Sequence, residues 1–231
     1  MKVTTLAVAL VAVAAIGAGC AVPPPPAPPA GHDVRYITRD GADTYKFVPS
    51  GNSMVVTASA SNGGANSRTL VWNTADTGSL DHQTCVTFTS GVWPTQEGVA
   101  LRVSAEGHPG KAITVMKNVF AFAIQHFNVQ LVDLSKPKGQ VLFAPIPASD
   151  FGPVLGSASG PWRLCASVVG NELSFKVWPE SGIEPSWNDE LRTRKMILPP
   201  EWVYAGHTGL YAGHLPAGSV LRFSNIQSEY Y

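Results

Sequence analysis

The stretch PWRLCASVVGNELSFKVWPES, residues 161–181, decides the fold. Two apolar runs flank the pair Gly170-Asn171, and a two-residue loop that begins with glycine suits the tight turn between antiparallel strands. In the second run, apolar side chains at odd positions alternate with Ser174, Lys176 and Trp178. Because side chains on a strand alternate between its two faces, this period of two indicates half-buried strands. The stretch therefore predicts a β-hairpin.

Similar short runs, each bounded by glycine, proline, asparagine, aspartate or serine, recur along the chain. No window of helical length shows an apolar repeat of 3.6 residues. Many short strands separated by turn residues predict an all-β fold of two packed antiparallel sheets, a jelly roll. The predicted strands are 44–48, 53–59, 68–72, 83–90, 98–104, 112–118, 119–134, 162–169, 172–178, 209–212 and 219–226.

Several of these segments also carry a resemblance to a known family. They are TCVTF (84–88), QEGVALRV (96–103), ITVMKN (113–118), FNVQLVD (127–133), PWRLC (161–165), FKVWP (175–179) and GLYAGHLPAG (209–218). The hairpin resembles the late hairpin of concanavalin A-like (LamG-type) jelly rolls. The whole set resembles a family of secreted actinobacterial proteins, some lipid-anchored, with that fold. The resemblance implies a concanavalin A-like sandwich over residues 32–231, and it transfers no activity by itself.

The charge balance argues against two classes of partner. The chain of 231 residues has 16 basic and 16 acidic side chains. It therefore has no basic excess that would attract nucleic acid or an anionic membrane surface. We expect no nucleic-acid partner.

Residues 1–20 have the features of an export signal. Lys2 precedes an uninterrupted apolar run of 11 residues, Leu6 to Ile16, which is too short to span a bilayer as a helix. Small residues then lead to Cys20, as in the lipobox of bacterial lipoproteins, although Gly17 stands where leucine is usual. We expect lipidation at Cys20 and anchoring to the outer face of the cell membrane. The alternative is an ordinary secretory signal cleaved between residues 21 and 30, which would release the protein.

Residues 21–31 include the run AVPPPPAPPA. Proline-rich sequence favours an extended polyproline II conformation and cannot build a core. At about 3.1 Å per residue, the run would hold a domain about 30 Å from its anchor. We therefore predict a spacer.

The three cysteines fit this picture. If Cys20 carries lipid, Cys85 and Cys165 can pair in the oxidising compartment outside the membrane. Such a bridge would stabilise the fold by about 3–4 kcal/mol in the chain-entropy model. The alternative is two buried free thiols.

A charged segment, residues 179–202, follows the hairpin and has no predicted strand. It holds several acidic and basic side chains and the indole of Trp187. It is either a solvated crossover or the rim of a binding face.

The motifs of common enzymes and metal sites are missing from the sequence. Glycoside hydrolysis needs two carboxylates across the scissile bond, and the glucanase pattern Glu-x-Asp-x-x-Glu does not occur. None of the six histidines forms an HExxH motif, and there is no calcium loop, Gly-x-Ser-x-Gly elbow or nucleotide fingerprint. We predict no catalytic residue, no metal site and no cofactor.

A polar sheet face remains as a candidate binding surface. If the apolar side of each strand builds the core, the opposite side presents cations, amides and an indole to solvent. Amides and cations can bond sugar hydroxyls, and an indole can pack on a sugar ring. The alternative is an ordinary solvated face or, at Trp178, an indole that the charged segment covers with Trp187 packed on it. The candidate ligand-binding residues are Arg102, Asn128, Gln130, Lys176, Trp178 and, from the charged segment, Trp187.

These observations favour a non-catalytic module of the cell envelope. Its expected partner is a glycan, a glycolipid or a membrane protein of the envelope. Two alternatives stay open: a glycoside hydrolase or lyase of the concanavalin A-like superfamily, and a structural accessory subunit of a membrane complex.

Overall fold

The computed structural model describes residues 22, 24–59, 66–88, 95–103, 107–120, 123–151 and 160–231. Fourteen strands in this part of the chain form two antiparallel seven-stranded sheets. Two short 3-10 helices, Ala148–Phe151 and Pro200–Trp202, accompany them. None of the described helices has the length and apolar character to cross a membrane. The predicted fold class, an all-β two-sheet jelly roll, is confirmed.

Sheet A has the strand order β1-β4-β13-β6-β7-β8-β9. Its strands are β1 (His32–Thr38), β4 (Arg68–Asn73), β6 (Gln96–Val103), β7 (Lys111–Phe120), β8 (Ala123–Asp133), β9 (Gln140–Pro147) and β13 (His207–Gly213).

Sheet B has the strand order β12-β11-β10-β5-β14-β3-β2. Its strands are β2 (Tyr45–Ser50), β3 (Ser53–Ala58), β5 (His82–Phe88), β10 (Trp162–Val169), β11 (Glu172–Pro179), β12 (Thr193–Ile197) and β14 (Val220–Tyr230).

The predicted hairpin is present. Val169 pairs with Glu172 across the loop Gly170-Asn171, and Gly170 has the positive φ of 54° that a glycine accepts without strain. Three strands were not predicted: β1, β9 and β12, all at sheet edges. The predicted strand 119–134 is wrong at its start, because residues 119–120 end β7 and β8 begins at Ala123.

The main core lies between the sheets and is built from the inward side of each strand. Phe127 of sheet A contacts Phe175 of sheet B, with ring centroids 6.5 Å apart. Burial of such side chains is the main contribution to stability, at about 25 cal/mol per Å² of apolar surface. Other members of this core include Val56, Val86, Phe88, Val99, Leu101, Ile113, Leu164, Val177, Leu210 and Phe223.

One ion pair is buried in the same layer. Lys117 Nζ lies 3.3 Å from Glu97 Oε1, and neither side chain is exposed. Burial raises the pKa of Glu97 to about 7, although the charge and hydrogen bond of Lys117 act to lower it.

A second apolar cluster covers the outer face of sheet A. It includes Leu70, Met116 and Tyr211, together with Ile37 on β1. A Cβ at Gly139, just before β9, would lie 3.4 Å from the carbonyl oxygen of Ile37. The two edges of sheet A therefore approach each other across this face, and apolar side chains fill the space between them.

Strand β14 contains a β-bulge at Asn225, which has a φ of 51°. Its pairing with β5 shifts register between Ser224 and Gln227. A bulge adds one residue to a strand and so reverses which positions point inward. Before the bulge, Phe223 enters the core; after it, even-numbered residues take the inward side.

Candidate functional site

A cleft opens between the sheets where β4 and β13 of sheet A face β5 and β14 of sheet B. Its volume is ≈ 380 Å³, within the size range of small-molecule sites. The turn between β2 and β3 borders it, as does the start of β1. The lining residues are His32, Pro49, Gly51, Asn52, Ser53, Met54, Val71, Trp72, Asn73, Asp76, Thr84, Thr208, Gly209, Leu210, Ile226, Ser228 and Tyr230.

The cleft forms where inward positions change from apolar to polar. On β5, Thr84 continues the inward row that contains Val86 and Phe88. On β13, Thr208 precedes the core residue Leu210 in the same way. The exposed fractions of Thr84 and Thr208 are 1% and 4%, so both hydroxyls lie on the floor of the cleft.

The bulge in β14 completes the lining. Because it reverses the inward positions, Ile226, Ser228 and Tyr230 turn toward the cleft, whereas Gln227 and Glu229 lie on the outer face. If the same sequence formed a regular strand without the bulge, Gln227 and Glu229 would occupy the inward positions instead.

Four hydroxyl groups and one carboxylate form a connected chain along the cleft. Tyr230 donates its hydroxyl proton to Asp76 Oδ2 at 2.7 Å. Thr208 Oγ1 lies 3.0 Å from the Tyr230 hydroxyl and 2.7 Å from Ser228 Oγ. Ser228 Oγ is 3.4 Å from Thr84 Oγ1. The chain thus joins β5, β13 and β14 with the loop that follows β4.

Tyr230 keeps its proton at neutral pH. Burial raises the pKa of Tyr230, and the carboxylate of Asp76 raises it further, while the hydrogen bond with Thr208 lowers it. The side chain is nevertheless 37% exposed, so its hydroxyl can meet a ligand that enters from solvent.

The β2–β3 turn is held against the cleft by the backbone. Ile226 N donates to Asn52 O at 2.9 Å, directly after the bulge. The turn is a two-residue loop, Gly51-Asn52, in which Gly51 has a φ of 58°. Met54 and Ile226 add apolar side chains to the lining of the cleft.

His82 lies beside Tyr230, one member of the hydroxyl chain. Its ring is fully buried, with its centroid 6.0 Å from that of Tyr230. Burial lowers the pKa of His82 to about 4, although the hydrogen bond to the Ser79 carbonyl acts to raise it. Nε2 accepts a hydrogen bond from the backbone of Arg102, which requires the neutral ring.

The cleft has few charged side chains. Asp76 is the one carboxylate among the described residues that line the cleft, and no lysine or arginine lines it. Acid–base hydrolysis of a glycosidic bond needs a second carboxylate. Within the described ranges, no three histidine, cysteine or acidic residues lie close enough to hold a metal ion.

The structure corrects the expectation that Arg102 faces solvent. Arg102 is fully buried and has a φ of 51°, which breaks the period of two along β6. Its guanidinium donates hydrogen bonds to the carbonyls of Leu80, Gly170 and Trp202. These bonds tie together three loops, so the side chain does not lie on an open sheet face.

Asn128 and Gln130 do lie on the outer face of sheet A, but they are not freely exposed. Each is 8% exposed, on the face that carries the second apolar cluster. Gln130 pairs with Thr114 across the strands. Thr114 Oγ1 and Gln130 Oε1 have no hydrogen-bond partner in the structure.

Lys176, Trp178 and Trp187 form one group on the outer face of sheet B, which we term the lysine–indole cluster. Lys176 Nζ lies 4.3 Å from the Trp187 ring centroid and 5.5 Å from that of Trp178. It also donates to the Pro185 carbonyl at 2.7 Å and pairs with Glu184 at 2.8 Å.

The charged segment 179–202 therefore folds back over the sheet and contributes β12. Lys176 and Trp178 are 3% and 4% exposed, so they do not face solvent, and the alternative that the charged segment covers Trp178 with Trp187 is confirmed. The structure brings them together with Trp187 but apart from Arg102, Asn128 and Gln130. Ligand binding by any of these six residues stays a prediction.

The predicted disulfide is present. Cys85 and Cys165 are bonded, and they occupy directly paired positions on β5 and β10. The bridge packs beneath Trp178. Cys20, the predicted lipidation site, lies outside the described residues, as does the signal segment.

The hydroxyl chain and its carboxylate were not predicted from the sequence. Its members are far apart in the sequence, and each is a common polar residue. One signal was present at the C-terminal strand: the apolar positions 221 and 223 are odd, whereas Ile226 is even. This phase change indicates a bulge and a new inward face over residues 226–230.

No protein-family model matches the chain, and no curated protein matches it. Among solved structures, the carbohydrate-binding module CBM66 from Bacillus subtilis matches with a TM-score of 0.50 and 8% identity, over 85% of this chain and 94% of that one. The exoplasmic/lumenal domain of VIP36, in a Ca²⁺/Man3GlcNAc-bound form, has a TM-score of 0.48 and 10% identity, over 87% and 84%. A legume lectin-like domain from Entamoeba histolytica has a TM-score of 0.48 and 9% identity, over 87% of this chain and 90% of that one. The likeness to CBM66 shows a shared sandwich fold.

Proposed function

We propose that this chain is an exported, non-catalytic module that binds a glycan in the cleft between its sheets. The observation that carries the proposal is the hydroxyl chain from Thr84 to Asp76, which lines a cavity of ≈ 380 Å³. Sugars present several hydroxyls at fixed spacing, and a row of protein hydroxyls can exchange hydrogen bonds with them.

The walls of the cleft fit the same ligand class. Met54 and Leu210 supply apolar surface on which the carbon-bound hydrogens of a sugar can pack, beside polar groups that fix its orientation. CBM66, with which the chain shares its fold, is named as a carbohydrate-binding module. Fold alone does not transfer function, so the proposal depends on the residues of the cleft.

The cellular setting is part of the proposal. Lipidation at Cys20 would anchor the protein to the outer face of the cell membrane, and the proline-rich spacer would hold the cleft away from it. The ligand would then be a glycan or glycolipid of the cell envelope, or a glycan on an envelope protein. Replacing Cys20 with alanine should move the protein from the membrane fraction to the soluble one.

A glycan array with the purified, exported protein tests the binding function. We expect the protein to retain a subset of envelope oligosaccharides without releasing shorter products. Thr208→Val keeps the shape of the side chain and removes the central hydroxyl of the chain, so it should weaken binding at least tenfold. Lys176→Met, in the lysine–indole cluster, is the matched control and should leave affinity unchanged.

Other results of these binding experiments would support a different site or a different function. If Gln130→Ala or Lys176→Met abolishes binding and Thr208→Val does not, the sugar binds a sheet face and the cleft is not the site. Shortened products would show a hydrolase or lyase. If no glycan binds and the protein instead co-purifies with a membrane complex, the accessory-subunit alternative replaces the proposal.

A further inference from the structure

The direction of the hydroxyl protons in the cleft is fixed from one end. Ionised Asp76 can only accept hydrogen bonds, so the Tyr230 proton points to it. A hydroxyl has a single proton, and Tyr230 therefore accepts from Thr208 at 3.0 Å. Ser228 also donates its proton within the chain, to Thr208 at 2.7 Å or to Thr84 at 3.4 Å. The protons of Tyr230 and Thr208 thus point toward Asp76, and the proton of Ser228 is bound within the chain as well.

This order leaves lone pairs, rather than protons, for a ligand. Tyr230, Thr208 and Ser228 have each committed their proton within the chain, but each oxygen keeps acceptor capacity. The hydroxyl chain therefore offers acceptors to groups that donate. Tyr230 stays protonated because burial and the nearby carboxylate raise its pKa, so the order persists at neutral pH.

The charges around the cleft also disfavour anionic ligands. Asp76 is negative, and no lysine or arginine is among the described lining residues. The amides of Asn52 and Asn73 at the rim are uncharged. A carboxylate, sulfate or phosphate on a ligand would meet lone pairs and a like charge, with no lysine or arginine among the described lining residues to compensate.

We propose that the cleft selects neutral and amino sugars through their hydroxyl and ammonium protons and discriminates against uronic, sulfated and phosphorylated sugars. The inference rests on the proposed glycan-binding function and names the ligand class of that site. It assigns Asp76 as the specificity-determining residue and Tyr230 as the residue that transmits its polarity to the other hydroxyls.

Matched sugars test the inference. Oligosaccharides of glucose, glucosamine and glucuronic acid, and the corresponding galactose series, are titrated calorimetrically into the full exported protein. Within the series that binds, we expect the neutral or amino form to bind at least tenfold more tightly than the uronic form. Asp76→Asn should reduce this ratio to less than threefold, because the amide removes the like charge and can donate to a carboxylate.

Glu229→Gln is the matched control for net charge. Glu229 lies on the same strand, points to the outer face and accepts a hydrogen bond from Gln83. The substitution Glu229→Gln removes one negative charge, as Asp76→Asn does, without changing the cleft. The ratio of neutral to uronic affinity should therefore stay as in the wild type. Tyr230→Phe breaks the chain, and it should weaken the neutral sugar about tenfold. Far-UV circular dichroism and the melting temperature verify that each variant is folded.

The possible failures are distinguishable. If uronic sugars bind as well as neutral ones in the wild type, the inference is wrong while glycan binding stands. If Glu229→Gln shifts the ratio as much as Asp76→Asn, selectivity comes from net charge and the inference is again wrong. If no sugar of any class binds, the proposed function itself fails, and the inference fails with it.

Discussion

Two regions of the molecule contain the polar and aromatic side chains expected of a sugar site, and they differ in where their hydrogen bonds end. In the lysine–indole cluster, Lys176 is bonded to the Pro185 carbonyl, paired with Glu184 and packed on two indoles. In the cleft, Thr208 and Tyr230 are bonded to each other and still border an open cavity. In the cluster, Lys176 is already bonded within the protein. In the cleft, the hydroxyl oxygens keep acceptor capacity for a ligand.

The comparison shows that residue type is a weak guide to a binding site. Lysine and tryptophan on a predicted sheet face suggest recognition, but a loop of the same chain can satisfy them. Threonine, serine and tyrosine in an inward row suggest only a polar edge of the core. Their connection to Asp76 and to a cavity makes them a candidate site.

The largest expected effect is at Trp178, which the cluster interpretation makes structural. Trp178→Ala should lower the free energy of unfolding by about 3–5 kcal/mol, because it removes a buried indole. Tyr230→Phe, at the cleft, should lower it by about 1 kcal/mol or less, because only one hydroxyl is lost from a partly exposed side chain. Urea denaturation followed by tryptophan fluorescence measures both. Equal losses in the two variants would remove the distinction between the regions.

The disulfide beneath the cluster has the next largest effect. Replacing Cys85 and Cys165 together with alanine should lower the free energy of unfolding by about 3–4 kcal/mol, because the bridge closes a long loop in the unfolded chain. Sugar affinity should not change at temperatures where the variant is folded, since neither cysteine lines the cleft. Calorimetric melting and sugar titration test the two parts separately. A loss of affinity in the folded variant would connect the regions that we describe as independent.

Acid should destabilise the side of the fold next to the cleft through His82. Its pKa lies near 4 in the folded protein and about 6.5 in the unfolded chain, so the unfolded state binds more protons between these values. Its contribution, about 3 kcal/mol, is complete above pH 6.5 and is lost as the pH falls through 4.

Glu97 acts in the opposite sense, because its folded pKa is raised to about 7. Its contribution is complete below about pH 4.5 and is lost as the pH rises through 7. Comparing the pH dependence of the wild type with that of His82→Gln isolates the histidine. In urea denaturation at pH 4–7, the free energy of unfolding of this variant should lack the decrease toward acid pH that His82 causes in the wild type. An unchanged slope would show that His82 does not stay neutral.

The smallest effect is expected at Lys176. Lys176→Met keeps the volume and apolar stem and leaves Glu184, whose side chain is 59% exposed, solvated. The loss should be about 1 kcal/mol, from the cation–π contacts and a screened ion pair. Thermal melting measures it. A destabilisation above about 3 kcal/mol would mean that the charge itself holds the charged segment in place.

The parts of the fold that were predictable from sequence depend on local patterns. The alternation along 164–178, with its glycine-first loop, specified the hairpin, and the cysteine count suggested the bridge. Two of the edge strands escaped prediction because their sequences break the usual rules: β9 contains Pro145 and Pro147, and β12 lies inside a charged segment. Edge strands tolerate such residues, since one of their sides has no neighbour to bond.

The candidate site was less predictable, for a different reason. Arg102 was expected on an open face, but its positive φ turns it toward three loop carbonyls. The hydroxyl chain depends on β5, β13 and β14 meeting at one end of the sandwich, and no local pattern contains that information. Ligand binding by the six residues chosen from the sequence stays a prediction, which Gln130→Ala and Lys176→Met test directly.

The bulge at Asn225 has a consequence for how this protein can diversify. Upstream of it, β14 contributes Leu221 and Phe223 to the main core; downstream, the same strand lines the cleft. Under the proposed function, substitutions at Ser228 and Tyr230 would alter the recognised sugar without touching the main core, so specificity could drift while the fold is maintained. Inserting or deleting a single residue downstream of the bulge would exchange the inward and outward faces beyond that point and remove the lining of the cleft in one step. Among related chains, we expect residues 226–230 to vary freely in side chain and hardly at all in length.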